Sequence, residues 1–283
     1  MKNNFIREHW SDIEKNIPQP SVLRNINEIE GDDFINIINT QDKEEIKNMI
    51  SNLYSGDFYI FKNEFDKEFI NNLRNNLVLF SKNSPSTFHK IIENCPNFHR
   101  IQDQKTLGSY SINAIRHSFY FFRWNKDEFN LFNTLDRYWS PIKFLSGLNY
   151  DAFINNTPKD KIVDRLQIVR YPKNTGFIEP HQHSTYNQRI VISVYMSKKT
   201  YDFDEGGTYF VSEGNKLHVE DKIDIGDVGI FYGSMKHGVD SVTISKNNNN
   251  YSNDNLSGRW WMGLYSPESD HNILRHTSNP TKI

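Results

Sequence analysis

Apolar positions change their rhythm near residue 160. Ahead of it the pattern is mixed and mainly helical. Over Asp66–Phe80, the residues Phe69, Ile70, Leu73, Leu77 and Phe80 recur at helical spacing. Phe129–Trp139 and Ile142–Leu148 read as further helix, broken at Ser140-Pro141 because proline lacks a backbone N–H and disfavours helix in the residue before it. Asp57–Phe61 (DFYIF) is a short strand candidate, and Phe119–Trp124 (FYFFRW) reads as a buried strand or helix. Beyond residue 160, Arg165–Tyr171, Arg189–Met196, Thr208–Val211, Asp227–Tyr232, Gly238–Ile244 and Arg259–Tyr265 are β-rich runs separated by Gly, Pro, Asn or Asp. Short strands at regular spacing predict an antiparallel sandwich or barrel. The expected class is α+β, with a mainly helical support region over residues 1–160 packed against a β-barrel core over 161–283, together one compact unit.

Composition narrows the function. The 283 residues carry 33 Lys plus Arg against 35 Asp plus Glu, a net charge of −2, which provides no basic footprint for nucleic acid. Cys95 is the single cysteine, so an intramolecular disulfide is excluded and a Cys-based zinc site is not expected. No apolar run approaches the ~18 residues of a membrane span, and the N-terminus lacks the apolar stretch of a secretory signal, so a cytoplasmic protein is expected. Asparagine is abundant, 35 residues, but Tyr, Phe, Trp and Ile interleave with it and supply a core. Only Lys246–Asn255 (KNNNNYSNDN) has the composition of a flexible loop.

Three of the ten histidines stand out. His181 and His183 form H-Q-H between two strand candidates, and His237 opens the run GVDSV. In an extended segment, positions i and i+2 share a face, so the pair can point together into a barrel mouth while the sheet returns His237 opposite them. Imidazole suits iron, zinc, copper and nickel. A lone H-x-H pair is weak evidence, and His89, His99, His117, His218, His271 and His276 have no such context.

The surrounding series is more specific. R-Y-P-K-N-T-G-F-I-E-P-H-Q-H over Arg170–His183 is followed by V-Y-M-S (Val194–Ser197), D-E-G-G-T-Y-F (Asp204–Phe210), I-G-D-V-G-I-F (Ile225–Phe231), H-G-V-D-S-V (His237–Val242) and G-R (Gly258–Arg259). In this order the elements resemble the iron(II)- and 2-oxoglutarate-dependent oxygenases, most nearly the prolyl-hydroxylase-like branch, over roughly residues 165–265. The resemblance implies a double-stranded β-helix of the jelly-roll or cupin type. It also implies Fe(II) as metal, 2-oxoglutarate as co-substrate, O2 as oxidant, and hydroxylation or a related C–H oxidation of a small-molecule, amino-acid or peptide substrate. His181 takes the position of the first histidine ligand, His237 that of the distal one, and Arg259 that of the base pairing with the far carboxylate of 2-oxoglutarate, a task suited to a planar guanidinium. Arg259 follows His237 by 22 residues, a wider gap than the family's, and Lys246–Asn255 accounts for the excess as an insertion. Arg189 is the fallback anchor. Tyr171, Gln167 and Tyr195 are candidates to hydrogen-bond the co-substrate, Arg116 and Arg123 to meet an acidic substrate, and of Trp260 and Trp261 one must face inward.

One departure matters. The family's third ligand is a carboxylate two residues after the first histidine, and His183 stands there. Three readings follow: His183 ligates, giving a three-histidine site one charge more positive than usual, which an anionic substrate could offset; His183 stands aside, leaving an open position as in the family's halogenases; or Glu179 supplies the carboxylate from two positions before His181. A second resemblance competes. Cupins share the barrel, and their dioxygenases often use three histidines, but here no glutamate follows His183 at the cupin spacing. A cupin-type dioxygenase independent of 2-oxoglutarate and a non-catalytic metal-binding barrel are therefore the alternatives.

Overall fold

The computed structural model describes residues 4–244 and 256–283. The insertion expected at Lys246–Asn255 lies outside the described residues. Among the described residues, five α-helices lie before residue 160: α1 (Asn4–Asn16), α2 (Gly31–Thr40), α3 (Lys43–Tyr54), α4 (Lys67–Asn83) and α5 (Leu131–Leu145). Between them run four strands, β1 (Asn25–Glu30), β2 (Asp57–Lys62), β3 (Phe98–Gln102) and β4 (Ala114–Phe122). The second half is strand-rich: β5 (Arg165–Tyr171), β6 (Phe177–Gln182), β7 (Ile190–Tyr195), β8 (Glu205–Ser212), β9 (Asn215–His218), β10 (Val228–Tyr232), β11 (His237–Thr243), β12 (Arg259–Tyr265) and β13 (Asn279–Pro280). No helix among the described residues is long and apolar enough to cross a membrane.

The α4 helix starts where Asp66 accepts the backbone N–H groups of Glu68 and Phe69, and buries Ile70, Leu73 and Leu77. The α5 helix differs from the expected pair of helices, because it runs straight through Pro141. A proline inside a helix costs about 3 kcal/mol. Burying one large apolar side chain stabilises by roughly 1.5–3 kcal/mol, and α5 buries Leu131, Phe132, Leu135, Ile142, Phe144 and Leu145, so packing overrides the break.

Two strand sets face each other. One runs β1-β2-β10-β7-β12-β5-β4, with β3 on β4, and the other runs β4-β6-β11-β8-β9, with β13 on β6. Every strand pairing is antiparallel except β1 with β2. The β4 strand belongs to both sets: His117–Phe122 pair with β5, and Ala114–Ile115 pair with β6. It is therefore the hinge along which the sheet folds over on itself. The main core lies between the first set and the helices, where Trp10, Phe34, Ile50, Leu77, Trp139 and Trp260 are buried. A smaller cluster holds Cys95 with Ile91, Phe98, Tyr120, Phe122 and Val163. The space between the two strand sets is left to a cavity.

Candidate metal centre and its cavity

His181 on β6 and His237 on β11 are directly paired across the ladder, which brings the two rings to a centroid separation of 4.4 Å. His183 lies just past β6, where its N–H donates to the Gly233 carbonyl (2.8 Å) and turns the side chain back towards the pair. The register of β6 against β11 shifts between His181↔His237 and Ile178↔Val239, so three steps on β6 match two on β11. That bulge, at Glu179-Pro180, breaks the two-residue alternation. Ile178 and His181 both face the cavity, whereas the Glu179 carboxylate turns to Asn113, accepting its backbone N–H (2.7 Å) and its side-chain amide (3.1 Å). Glu179 is not part of the cluster.

The ligand nitrogens of His181, His183 and His237 all lie within 4.8 Å of one another, and the group could hold a metal ion. His181 Nδ1–H donates to the Glu179 carbonyl (2.9 Å), and His237 Nδ1–H donates to the Met235 carbonyl (2.8 Å). A carbonyl only accepts, so both rings carry their proton on Nδ1 and present a bare Nε2. His183 Nδ1 bonds the Ser278 hydroxyl (3.0 Å), and its Nε2 lies 3.2 Å from that of His237. Metal–imidazole bonds of roughly 2.1 Å set neighbouring ligand nitrogens about 3 Å apart, which is the His183–His237 spacing. Burial lowers all three pKa values: His237 to about 4, and His181 and His183 well below the ordinary value, where the nearby histidine rings add to the effect. Neutral imidazole is the form a metal needs.

The cavity, about 340 Å³, is lined by the three histidines and by Arg259, Tyr171, Gln167 and Tyr195. Arg259 is 1% exposed. Its Nε donates to Glu220 Oε1 (2.5 Å) and its Nη2 to the Thr208 hydroxyl (2.5 Å), while buried Nη1 has no partner. Glu220 in turn accepts the Thr208 N–H (2.7 Å). Gly207, at φ +91°, permits this: a Cβ there would lie 2.4 Å from Glu220 Cγ. Trp261 lines the cavity beside Arg259, and Trp260 on the opposite face is buried against Phe119.

Arg189 is outside the cavity lining and grips Glu14 through two nitrogens (2.6 and 2.9 Å). Arg123 is also elsewhere, paired with Asp136 and Asp164, whereas Arg116 lines the cavity. His276, which has no sequence context, lines it too. Glu220, Thr208, Ser278 and Arg165 are cavity or supporting residues that the motifs do not single out. For Arg165 the signal was available, since strand alternation puts it on the face of Gln167 and Tyr171.

No protein-family profile and no curated protein sequence matches the chain. Solved structures do. A full-length Neurospora crassa protein in complex with alpha-KG and thymine is 12% identical, with 89% of this chain and 88% of that one covered at a TM-score of 0.50. JOX2 in complex with 2OG, Fe and JA is 14% identical (95% and 85% covered, TM-score 0.49), and a Pseudomonas putida prolyl-4-hydroxylase is 10% identical (78% and 97% covered, TM-score 0.45). The structural neighbours are 2-oxoglutarate- and iron-dependent oxygenases, and what this chain shares with them is the fold, an α+β double-stranded β-helix.

Proposed function

We propose that the protein is a non-haem iron oxygenase that couples decarboxylation of 2-oxoglutarate and O2 activation to hydroxylation, or a related C–H oxidation, of a small substrate. His181, His183 and His237 are its metal ligands and Arg259 is its co-substrate anchor. The observation that carries this reading is the pairing, in one cavity, of three converging imidazole nitrogens with an unpartnered guanidinium nitrogen. Iron(II), when bound, supplies the oxygen and C–H chemistry.

The chain supplies the rest. Glu220 and Thr208 fix the Arg259 guanidinium from one side, leaving Nη1 for an incoming carboxylate. Tyr195, Tyr171 and Gln167 offer further polar contacts on the same wall, and Val191, Phe231 and Val239 keep it dry. A cupin-type reaction without 2-oxoglutarate leaves the buried Arg259 Nη1 without a ligand.

Anaerobic titration with Fe(II) and then 2-oxoglutarate tests the proposal. A weak visible charge-transfer band is expected only with both present, and Arg259→Ala should weaken co-substrate binding at least tenfold, by ~1.4 kcal/mol. Iron binding that ignores 2-oxoglutarate would transfer the site to the three-histidine dioxygenases, and failure to bind metal would leave a structural barrel.

A further inference from the structure

The cavity lining contains five arginines (Arg100, Arg116, Arg165, Arg259 and Arg275) and, among the described residues, no aspartate or glutamate. In a chain of net charge −2 this is a marked segregation of charge. Two of the five are matched from outside the lining: Arg259 by Glu220, and Arg275 by Asp270 at 2.7 Å. Arg100, Arg116 and Arg165 have no ion pair with any described residue. Arg116 Nε donates to the Gln102 amide oxygen (2.8 Å) and Arg165 Nη2 to that of Gln167 (3.0 Å). An amide oxygen orients a guanidinium as a carboxylate does, but leaves its charge in place. Arg100 Nη2 and Arg165 Nε are buried with no hydrogen-bond partner.

Aromatic faces cover these cations: Tyr110 lies 4.0 Å from the Arg100 guanidinium, and Tyr120 and Tyr265 lie 5.5 and 5.4 Å from that of Arg165. Such contacts are worth ~0.5–2 kcal/mol each, less than the several kcal/mol that removing a charge from water costs. Burial, together with the charges of Arg275 and Arg116, lowers the Arg165 pKa from its ordinary value. The wall is therefore short of negative charge.

Position separates Arg165 from the co-substrate anchor, whereas Arg116, which precedes the His117↔Arg170 pair, lies at the Arg259 end of the sheet. On the β5/β12 ladder, Arg259 pairs with Tyr171 at one end and Tyr265 pairs with Arg165 at the other. Six residues at ~3.3 Å each place the two ends about 20 Å apart along the strands, farther than a five-carbon diacid reaches. The Tyr265 ring lies 5.6 Å from His183, so the arginine end borders the metal site.

We infer that the substrate is an anion, carrying a carboxylate or phosphate that docks on Arg165 at the end of the cavity opposite Arg259. This inference rests on the oxygenase reading for the word substrate, but the anion site itself does not. The test is calorimetric titration, under argon, of benzoate, inorganic phosphate and neutral benzamide into protein loaded with Mn(II) and 2-oxoglutarate, and into protein without either. At least one anion should bind the loaded protein tenfold or more tighter than benzamide, without displacing 2-oxoglutarate. Preference for benzoate identifies a carboxylate, and preference for phosphate a phosphoryl group. Arg165→Gln, or Arg165→Met should the first fail to fold, should lower anion affinity about tenfold and 2-oxoglutarate affinity by a smaller factor. Anion binding that persists where 2-oxoglutarate does not bind would sustain the anion site and sink the oxygenase reading. Anions that bind no better than benzamide, or that compete with 2-oxoglutarate, overturn the inference.

Discussion

His99 on β3 and His117 on β4 form a second histidine cluster, their rings 4.9 Å apart, about as close as the three rings of the cavity. The two clusters differ in how they use their nitrogens. His99 Nε2–H donates to the Ser84 carbonyl (2.9 Å), so its Nδ1 is an acceptor, and it takes the proton of His117 Nε2 (2.8 Å). One ring nitrogen of four is left outside that relay. In the cavity, by contrast, two protons go to backbone carbonyls and the unprotonated nitrogens turn towards each other. Proximity of histidines does not mark a metal site; the direction of their remaining lone pairs does.

Removing a ring from each cluster should break the comparison most sharply. His183→Ala should weaken metal binding by more than the ~100-fold upper range for loss of an outer hydrogen-bond partner, while His117→Ala leaves the bound metal unchanged; metal content after anaerobic Fe(II) loading and gel filtration reads both. Next in size, metal at about 100 times its Kd should stabilise the native protein by ~2.7 kcal/mol. The denaturant midpoint should rise accordingly and fall back with chelator. The rise should vanish in His183→Ala, and a shift that survived there would move the metal away from the cavity. Ser278→Ala removes the hydroxyl on His183 Nδ1 and should lower metal affinity roughly 10- to 100-fold without loss of fold, measured by competition with a chromophoric chelator.

The last effect appears only in acid. Burial, then the charges of His99 and Arg170, lowers the His117 pKa from 6.5 to about 3. Above pH 6.5 the folded and unfolded chains are both neutral at this ring, and its full contribution to stability is present. As the pH falls from 6.5 towards 3 only the unfolded chain takes up the proton, and stability is lost across that window. His117→Asn should flatten the decline of the urea midpoint between pH 6 and pH 4 in metal-loaded protein. An unchanged slope would show that His117 titrates normally.

Much of this was legible in the sequence because strand alternation is strict. Arg165–Tyr171 and Arg259–Tyr265 were bounded at the residues observed, and Tyr171, Gln167 and Arg259 share the cavity with the histidines. Two kinds of feature escaped. Where tertiary packing overrides a local rule, as at Pro141 inside α5 or at the Glu179-Pro180 bulge, the periodic rule misplaces a break or a side chain. Where a partner arrives from a distant element with no motif of its own, nothing local signals it. Glu220 reaches Arg259 from 39 residues away, and Ser278 reaches His183 from 95.

Cys95 gives the structure an unplanned use. It is 3% exposed, and burial, with Asp270 nearby, raises its pKa to about 11. Attack by a thiol reagent needs both access and the thiolate, and the native packing denies both. As the chain's single cysteine, it becomes a built-in clock whose labelling rate under native conditions counts openings of its cluster. Tyr120 packs in that cluster and also lines the arginine end of the cavity. A ligand that settles there should slow the clock, whatever reaction the site performs.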